Sequence, residues 1–98
     1  MSEHRLKIWR GPFDAIVDGR KTFEYRRDDR GFQVGDILEL CLWDPVVHCY
    51  LPTGCDVGGH DMDPLHVSVK VTYIVRGPAF GIPDGYCVMS IERYVEST

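Results

Sequence analysis

Lys21, Glu24 and Arg26 stand close together in the stretch Gly19-Arg20-Lys21-Thr22-Phe23-Glu24-Tyr25-Arg26-Arg27-Asp28-Asp29-Arg30, in which eight of twelve residues are charged. An ammonium, a carboxylate and a guanidinium at this spacing offer two kinds of chemistry. The two cations can donate to phosphate oxygens or to base acceptors, while the carboxylate accepts from an exocyclic amine or pins the guanidinium in place. Alternatively, a Lys–Glu pair can move protons if burial lowers the Lys pKa. The bland alternative is a solvated strand face carrying a rim ion pair of small energetic worth. As surface groups, Lys21 and Glu24 would be replaceable by Ala with the thermal midpoint staying within a few degrees.

The elements that must hold these groups follow from periodicity. Phe23 and Tyr25 alternate with Thr22, Glu24 and Arg26, the period of a half-buried strand. The alternation puts the two aromatics on one face, expected to pack into the core, and the polar residues on the other. Upstream, Leu6 and Ile8 alternate with Arg5 and Lys7 in a first strand over 4–9. A short helix over about residues 12–18 starts at Pro12, carries Phe13, Ile16 and Val17 on one face, and ends at Gly19. Its C-terminal dipole gives Arg20 and Lys21 a purely structural reason to be basic. Val34-Gly35-Asp36 turns into a strand over 37–43, with Leu38, Leu40 and Leu42 on the core face. Residues 44–65 read as a long irregular loop with a possible hairpin arm over 46–51. The spacing of its Cys and His residues fits no standard zinc knuckle. In the strand over 66–76, Val67, Val69, Val71, Tyr73 and Val75 share one face. A Pro83-Asp84-Gly85 turn leads to a last strand over 86–94, apolar on both faces and therefore expected to be central.

Composition narrows the field. A chain of 98 residues is expected to form one domain over 1–98. No apolar run is long enough to span a membrane and no signal-peptide core is present, so a cytoplasmic location is the default, with Cys41, Cys49, Cys55 and Cys87 as reduced thiols. The net charge of −4 is divided unevenly: residues 1–30 carry +2 and residues 31–98 carry −6. A local basic site on an acidic body suits a small anionic or nucleotide-like ligand better than long duplex DNA. One helix among several short strands predicts a mainly β, α+β fold, built as a partly closed barrel with the helix over it.

Gly19-x-Lys21-x-x-Glu24-x-Arg26 resembles the G-x-K-x-x-E-x-R signature of ASCH domains in the PUA-like superfamily. The chain is most similar to a small ASCH-like family of unknown function from bacteria and phages. The similarity extends through His4-Arg5-Leu6-Lys7-Ile8, Asp28-Asp29-Arg30, Val34-Gly35-Asp36 and Gly81-Ile82-Pro83-Asp84-Gly85-Tyr86. The resemblance implies a PUA-like barrel whose cleft takes RNA or a modified nucleoside or nucleotide. His4, Lys21, Glu24, Arg26, Arg30 and Trp43 would form the ligand site, without cofactor or metal, and Tyr25, Phe32 or Trp43 would offer a stacking face. A related branch hydrolyses the acetyl amide of acetylcytidine, which would make Lys21 and Glu24 catalytic. However, that branch has Thr where this chain has Glu24, and its further Glu has no counterpart in the strand over 66–76. Metal-independent ribonuclease activity and a phage or bacterial protein-interaction role are the other readings that the resemblance allows.

Overall fold

The computed structural model describes residues 2–50 and 65–95. Its elements are β1 (Glu3–Ile8), α1 (Arg10–Val17), β2 (Phe23–Arg27), β3 (Ile37–Asp44), β4 (Cys49–Tyr50), β5 (His66–Arg76) and β6 (Tyr86–Arg93). The fold is mainly β with one short helix, as the sequence predicts. The helix begins two residues before Pro12, because its first intrahelical bond runs from the Phe13 amide to the Trp9 carbonyl. Pro12 therefore falls among the first-turn positions whose N–H has no partner to lose. Gly19, at φ +88°, ends the helix, and the Lys21 amide closes back on the Ala15 carbonyl. That closure delivers Lys21 to the start of β2.

The strands form one sheet in the order β1-β3-β5-β6-β2, with β4 pairing on β3. β1 and β3 are parallel, and the remaining neighbours are antiparallel. The expected barrel lacks its closing ladder: β1 and β2 are the two ends of the sheet and do not pair with each other. The directions in the sheet make these two edges antiparallel. Because the Ile37 amide bonds the Ser2 carbonyl, alternate residues of β1 face β3, and the backbone groups of Lys7 face the open edge. Arg26 on β2 reaches across and donates to the Lys7 carbonyl at 2.6 Å. The seam is thus spanned by a side chain rather than by a ladder.

The core lies on the inner face of the sheet, under α1. Leu6, Ile8, Leu38, Leu40, Leu42, Val67, Val69, Val71, Met89 and Ile91 fill it together with Phe13, Ile16 and Phe32. The strand buried on both faces is β3, where Cys41 is as inaccessible as Leu40. β6 instead alternates, burying Cys87, Met89 and Ile91. Alternation breaks in β5 as well. A register shift between Val71 and Tyr73 inserts Thr72 as an extra residue. Beyond it Ile74 and Arg76 take the inner positions, so Tyr73 and Val75 turn outward rather than continuing the face of Val71. Residues 45–48 form the turn of a hairpin in which Trp43 and Asp44 pair with Tyr50 and Cys49. Most of the expected loop over 44–65 lies outside the described residues. Cys41 and Cys87 are free thiols, whereas Cys49 is disulfide-bonded, against the expectation of four reduced cysteines.

Candidate functional site

Glu24 is the key to the site, and its placement reverses the expected phase of β2. In the ladder with β6, Glu24 lies opposite Met89 and Arg26 opposite Cys87, both on the inner face. Glu24 is only 5% exposed, whereas Phe23 and Tyr25, expected in the core, are 48% and 49% exposed. The strand buries its polar face because the charge there is neutralised within the chain. Lys21 Nζ donates to Glu24 Oε1 at 2.6 Å, and Arg26 Nε donates to Oε2 at 2.5 Å. A buried carboxylate is costly unless both oxygens find charged donors, and here each finds one. Lys21 Nζ also bonds the Phe23 carbonyl at 2.7 Å. An ammonium has three N–H donors and a guanidinium five. Two of each are engaged, so one Lys21 donor and three Arg26 donors remain for a ligand.

These groups form the floor of a cleft of about 410 Å³ at the seam between β1 and β2. Lys7, Ile8, Trp9 and Pro12 line one wall, while Phe23, Tyr25, Arg27 and Tyr86 line the other. The volume falls in the range that holds a nucleotide-sized molecule. Tyr25 and Tyr86 stack on each other, with centroids 5.5 Å apart and planes 15° apart. The Arg27 guanidinium lies 5.7 Å over the Tyr86 ring, and Lys21 Nζ lies 4.7 Å from the centre of Phe23. A cation-bearing floor between exposed aromatic walls can take a planar ring with an attached anion. For proton transfer, the Lys21–Glu24 contact is short enough, but both Glu24 oxygens are already hydrogen-bonded. A general-base role would use the second lone pair of one oxygen, on a carboxylate that is almost wholly buried and already neutralised by two cations. Cys87, opposite Arg26, offers no nucleophile: burial, followed by the nearby Asp28 carboxylate, pushes its thiol up.

The structure brings together Lys21, Glu24, Tyr25 and Arg26 in the cleft but places His4, Arg30, Phe32 and Trp43 elsewhere. His4 Nε2 contacts Asp36 Oδ2 at 2.9 Å and its ring meets Phe32 edge-on. Asp36 is itself buried and also accepts from the Ser2 and Gln33 amides. Burial would raise the Asp36 carboxyl pKa, but these three hydrogen bonds outweigh it and hold the pKa below the ordinary value of 3.8. His4 therefore stands in a network that ties β1 to the turn before β3. Arg30 is exposed in the bend after β2 and does not line the cleft. Trp43 touches the site at one remove, with Lys7 Nζ 3.9 Å over its ring. Phe32 is fully buried and cannot stack on a ligand. Periodicity missed Lys7, Trp9, Pro12, Arg27 and Tyr86. Lys7 and Tyr86 fall within stretches that carry the resemblance and Pro12 opens the helix, but nothing local marks any of the five as lining a site, since they meet only because the two sheet ends converge.

Fold and site together define a small, mainly β domain with a polar cleft at the open seam of its sheet. The chain belongs to the family described as a domain of unknown function, DUF3850, which matches residues 3–91. It is also similar to an "Uncharacterized 12.9 kDa protein in GpA 3'region" of Escherichia phage P2, with 38% identity over 40 residues. That match covers 41% of this chain and 37% of the phage protein, so it spans little more than a third of that relative.

Proposed function

We propose that the seam cleft binds a nucleotide unit of RNA or a modified nucleoside or nucleotide. The observation that carries this reading is the buried Glu24 clamped between Lys21 and Arg26 beneath exposed aromatic walls. Glu24 orients the two cations, whose remaining donors meet a phosphate or base acceptors. Phe23, Tyr25 and Trp9 offer faces for the base. Support also comes from the resemblance to ASCH and PUA-like domains through Gly19, Lys21, Glu24 and Arg26.

Proton–nitrogen NMR titration with a panel of nucleosides (including acetylated cytidine), the four nucleoside monophosphates and short single-stranded RNAs tests it. Expected are shifts clustered at Lys21, Glu24, Tyr25 and Arg26. Lys21→Ala should weaken binding at least about ten-fold, the loss of one charge-assisted bond. Arg20→Ala, whose side chain pairs with Asp18 outside the cleft, should change it less than two-fold. Equal effects of the two variants, or no shifts in the cleft, would remove the reading. One-dimensional spectra of the same tubes, followed overnight, report any released acetate or cleaved RNA and so separate binding from turnover.

A further inference from the structure

The outer face of the β5–β6–β2 half of the sheet is aromatic and open to solvent. Behind the bulge at Thr72, Tyr73 and Val75 point outward beside Ser90 and Val88 of β6, which in turn lie beside Phe23 and Tyr25 of β2. Tyr86, opposite Arg27, completes the row and stacks on Tyr25. Tyr73 is 64% exposed, more than either Phe23 or Tyr25. A strand that continued its alternation past Val71 would have buried Tyr73 and Val75. The bulge costs ladder regularity and places large side chains in water, an arrangement that marks an interaction surface.

Two features indicate the occupant. The first is charge. Between the bulge and the cleft, the outward positions Phe23, Tyr25, Arg27, Tyr73, Val75, Tyr86, Val88 and Ser90 hold one cation and no carboxylate, although the chain carries −4 overall; Glu92, the next outward position on β6, lies on the far side of the bulge opposite Lys70. On the other side of the bulge the outer face is mixed in charge, with Glu3, Glu39 and His66 around a separate polar hollow and Arg5 and Lys7 at the outward positions of β1. A polyanion lying along the aromatic part of the face thus meets no carboxylate. The second feature is continuity. Phe23, Tyr25, Arg27 and Tyr86 belong both to this face and to the wall of the seam cleft. A ligand held on Lys21 and Arg26 meets the platform without a break.

We infer that the outer face of β2, β6 and β5 is a stacking platform for the nucleotides adjoining the one in the cleft, so the ligand is a single-stranded oligonucleotide rather than a free mononucleotide. The inference rests on the cleft reading above and extends it. Bases stack on exposed aromatics whatever their identity, and sugar and phosphate oxygens meet the Tyr hydroxyls and Arg27. The bulge serves to bring Tyr73 onto the same face as Phe23 and Tyr25, in the cross-strand row of Ser90 and Phe23.

The test compares an equimolar mixture of the four nucleoside monophosphates with a random-sequence hexaribonucleotide, using NMR shifts for the first and fluorescence anisotropy for the second. The hexamer should bind at least about ten-fold tighter than the monophosphates, one stacked base being sufficient for that gain. Tyr73→Ala should lower hexamer affinity about ten-fold and leave monophosphate binding unchanged, because Tyr73 does not line the cleft. Tyr73→Phe should restore it. Monophosphates that bind at the cleft with no gain for the hexamer would overturn the platform and leave the cleft reading standing. Binding of neither probe would overturn the platform, and the cleft reading falls as well when the nucleoside panel with acetylated cytidine also leaves the cleft unshifted. Concentration-dependent self-association in sedimentation, abolished by Tyr73→Ala, would assign the face to a second copy of the chain and overturn the platform as well.

Discussion

Glu24 shows how a single residue can invert a strand. Its carboxylate occupies a core-facing position that an alternating pattern reserves for Phe23 or Tyr25, and it does so because Lys21 and Arg26 accompany it inward. This changes what a substitution does. The expectation that replacing Glu24 leaves stability nearly untouched holds only for a solvated pair, and Glu24 is not solvated. Glu24→Gln retains shape but leaves two cations facing a neutral amide. Breaking a fully buried pair costs about 3–5 kcal/mol. Here Lys21 and Arg26 remain 18% and 22% exposed, so water recovers part of the loss and about 2 kcal/mol is expected. Urea unfolding followed by tryptophan fluorescence measures it, and a loss below about 0.5 kcal/mol would place the pair back in the class of surface bridges.

Elements ending in a constrained turn position the walls. β5 and β6 are joined through residues 77–85, and the Gly77 amide donates to the Tyr86 carbonyl at 2.9 Å. A Cβ on Gly77 would lie 1.9 Å from the Pro83 carbonyl oxygen, so only glycine allows the two ends of the connection to approach. Gly77→Ala must shift backbone and should destabilise by about 2 kcal/mol or more. Gly11, in the first turn of α1, has open space around it, and Gly11→Ala should be neutral or stabilise by about 0.5–1 kcal/mol. Thermal melts of the two variants check the contrast, and equal shifts would mean the close approach is not maintained in solution. At this scale much was legible. The strand over 66–76 and the helix end at Gly19 follow from alternation and glycine chemistry. The bulge at Thr72 was not legible, because Val71, Tyr73 and Val75 read as one face until the pairing with β6 sets them apart.

Across the whole molecule, the cleft exists because a sheet of unpaired ends curls until β1 and β2 approach. Among the described residues no helix is long and apolar enough to cross a membrane. The overall charge of −4 limits nonspecific attraction, so only the local cations at the seam should govern salt dependence. With about two phosphate contacts from Lys21 and Arg26, and a third where Arg27 meets an adjoining nucleotide, the logarithm of single-strand affinity should fall with slope about −1.4 to −2.1 against the logarithm of salt. Anisotropy titrations between low and moderate salt measure this slope, and a value several times steeper would require a much longer basic track than the seam supplies. The chain by itself determined the order and length of most strands, the helix, the Leu38–Leu40–Leu42 core stripe and the grouping of Lys21, Glu24 and Arg26, because these depend on neighbours a few residues away. Only the tertiary structure decided that Glu24 faces inward, that His4 serves Asp36 rather than the cleft, that the sheet stays open, and that Lys7, Trp9 and Tyr86 complete the walls. Those outcomes depend on which strands pair and in what register, and a local pattern that is compatible with either face of a strand does not contain that information.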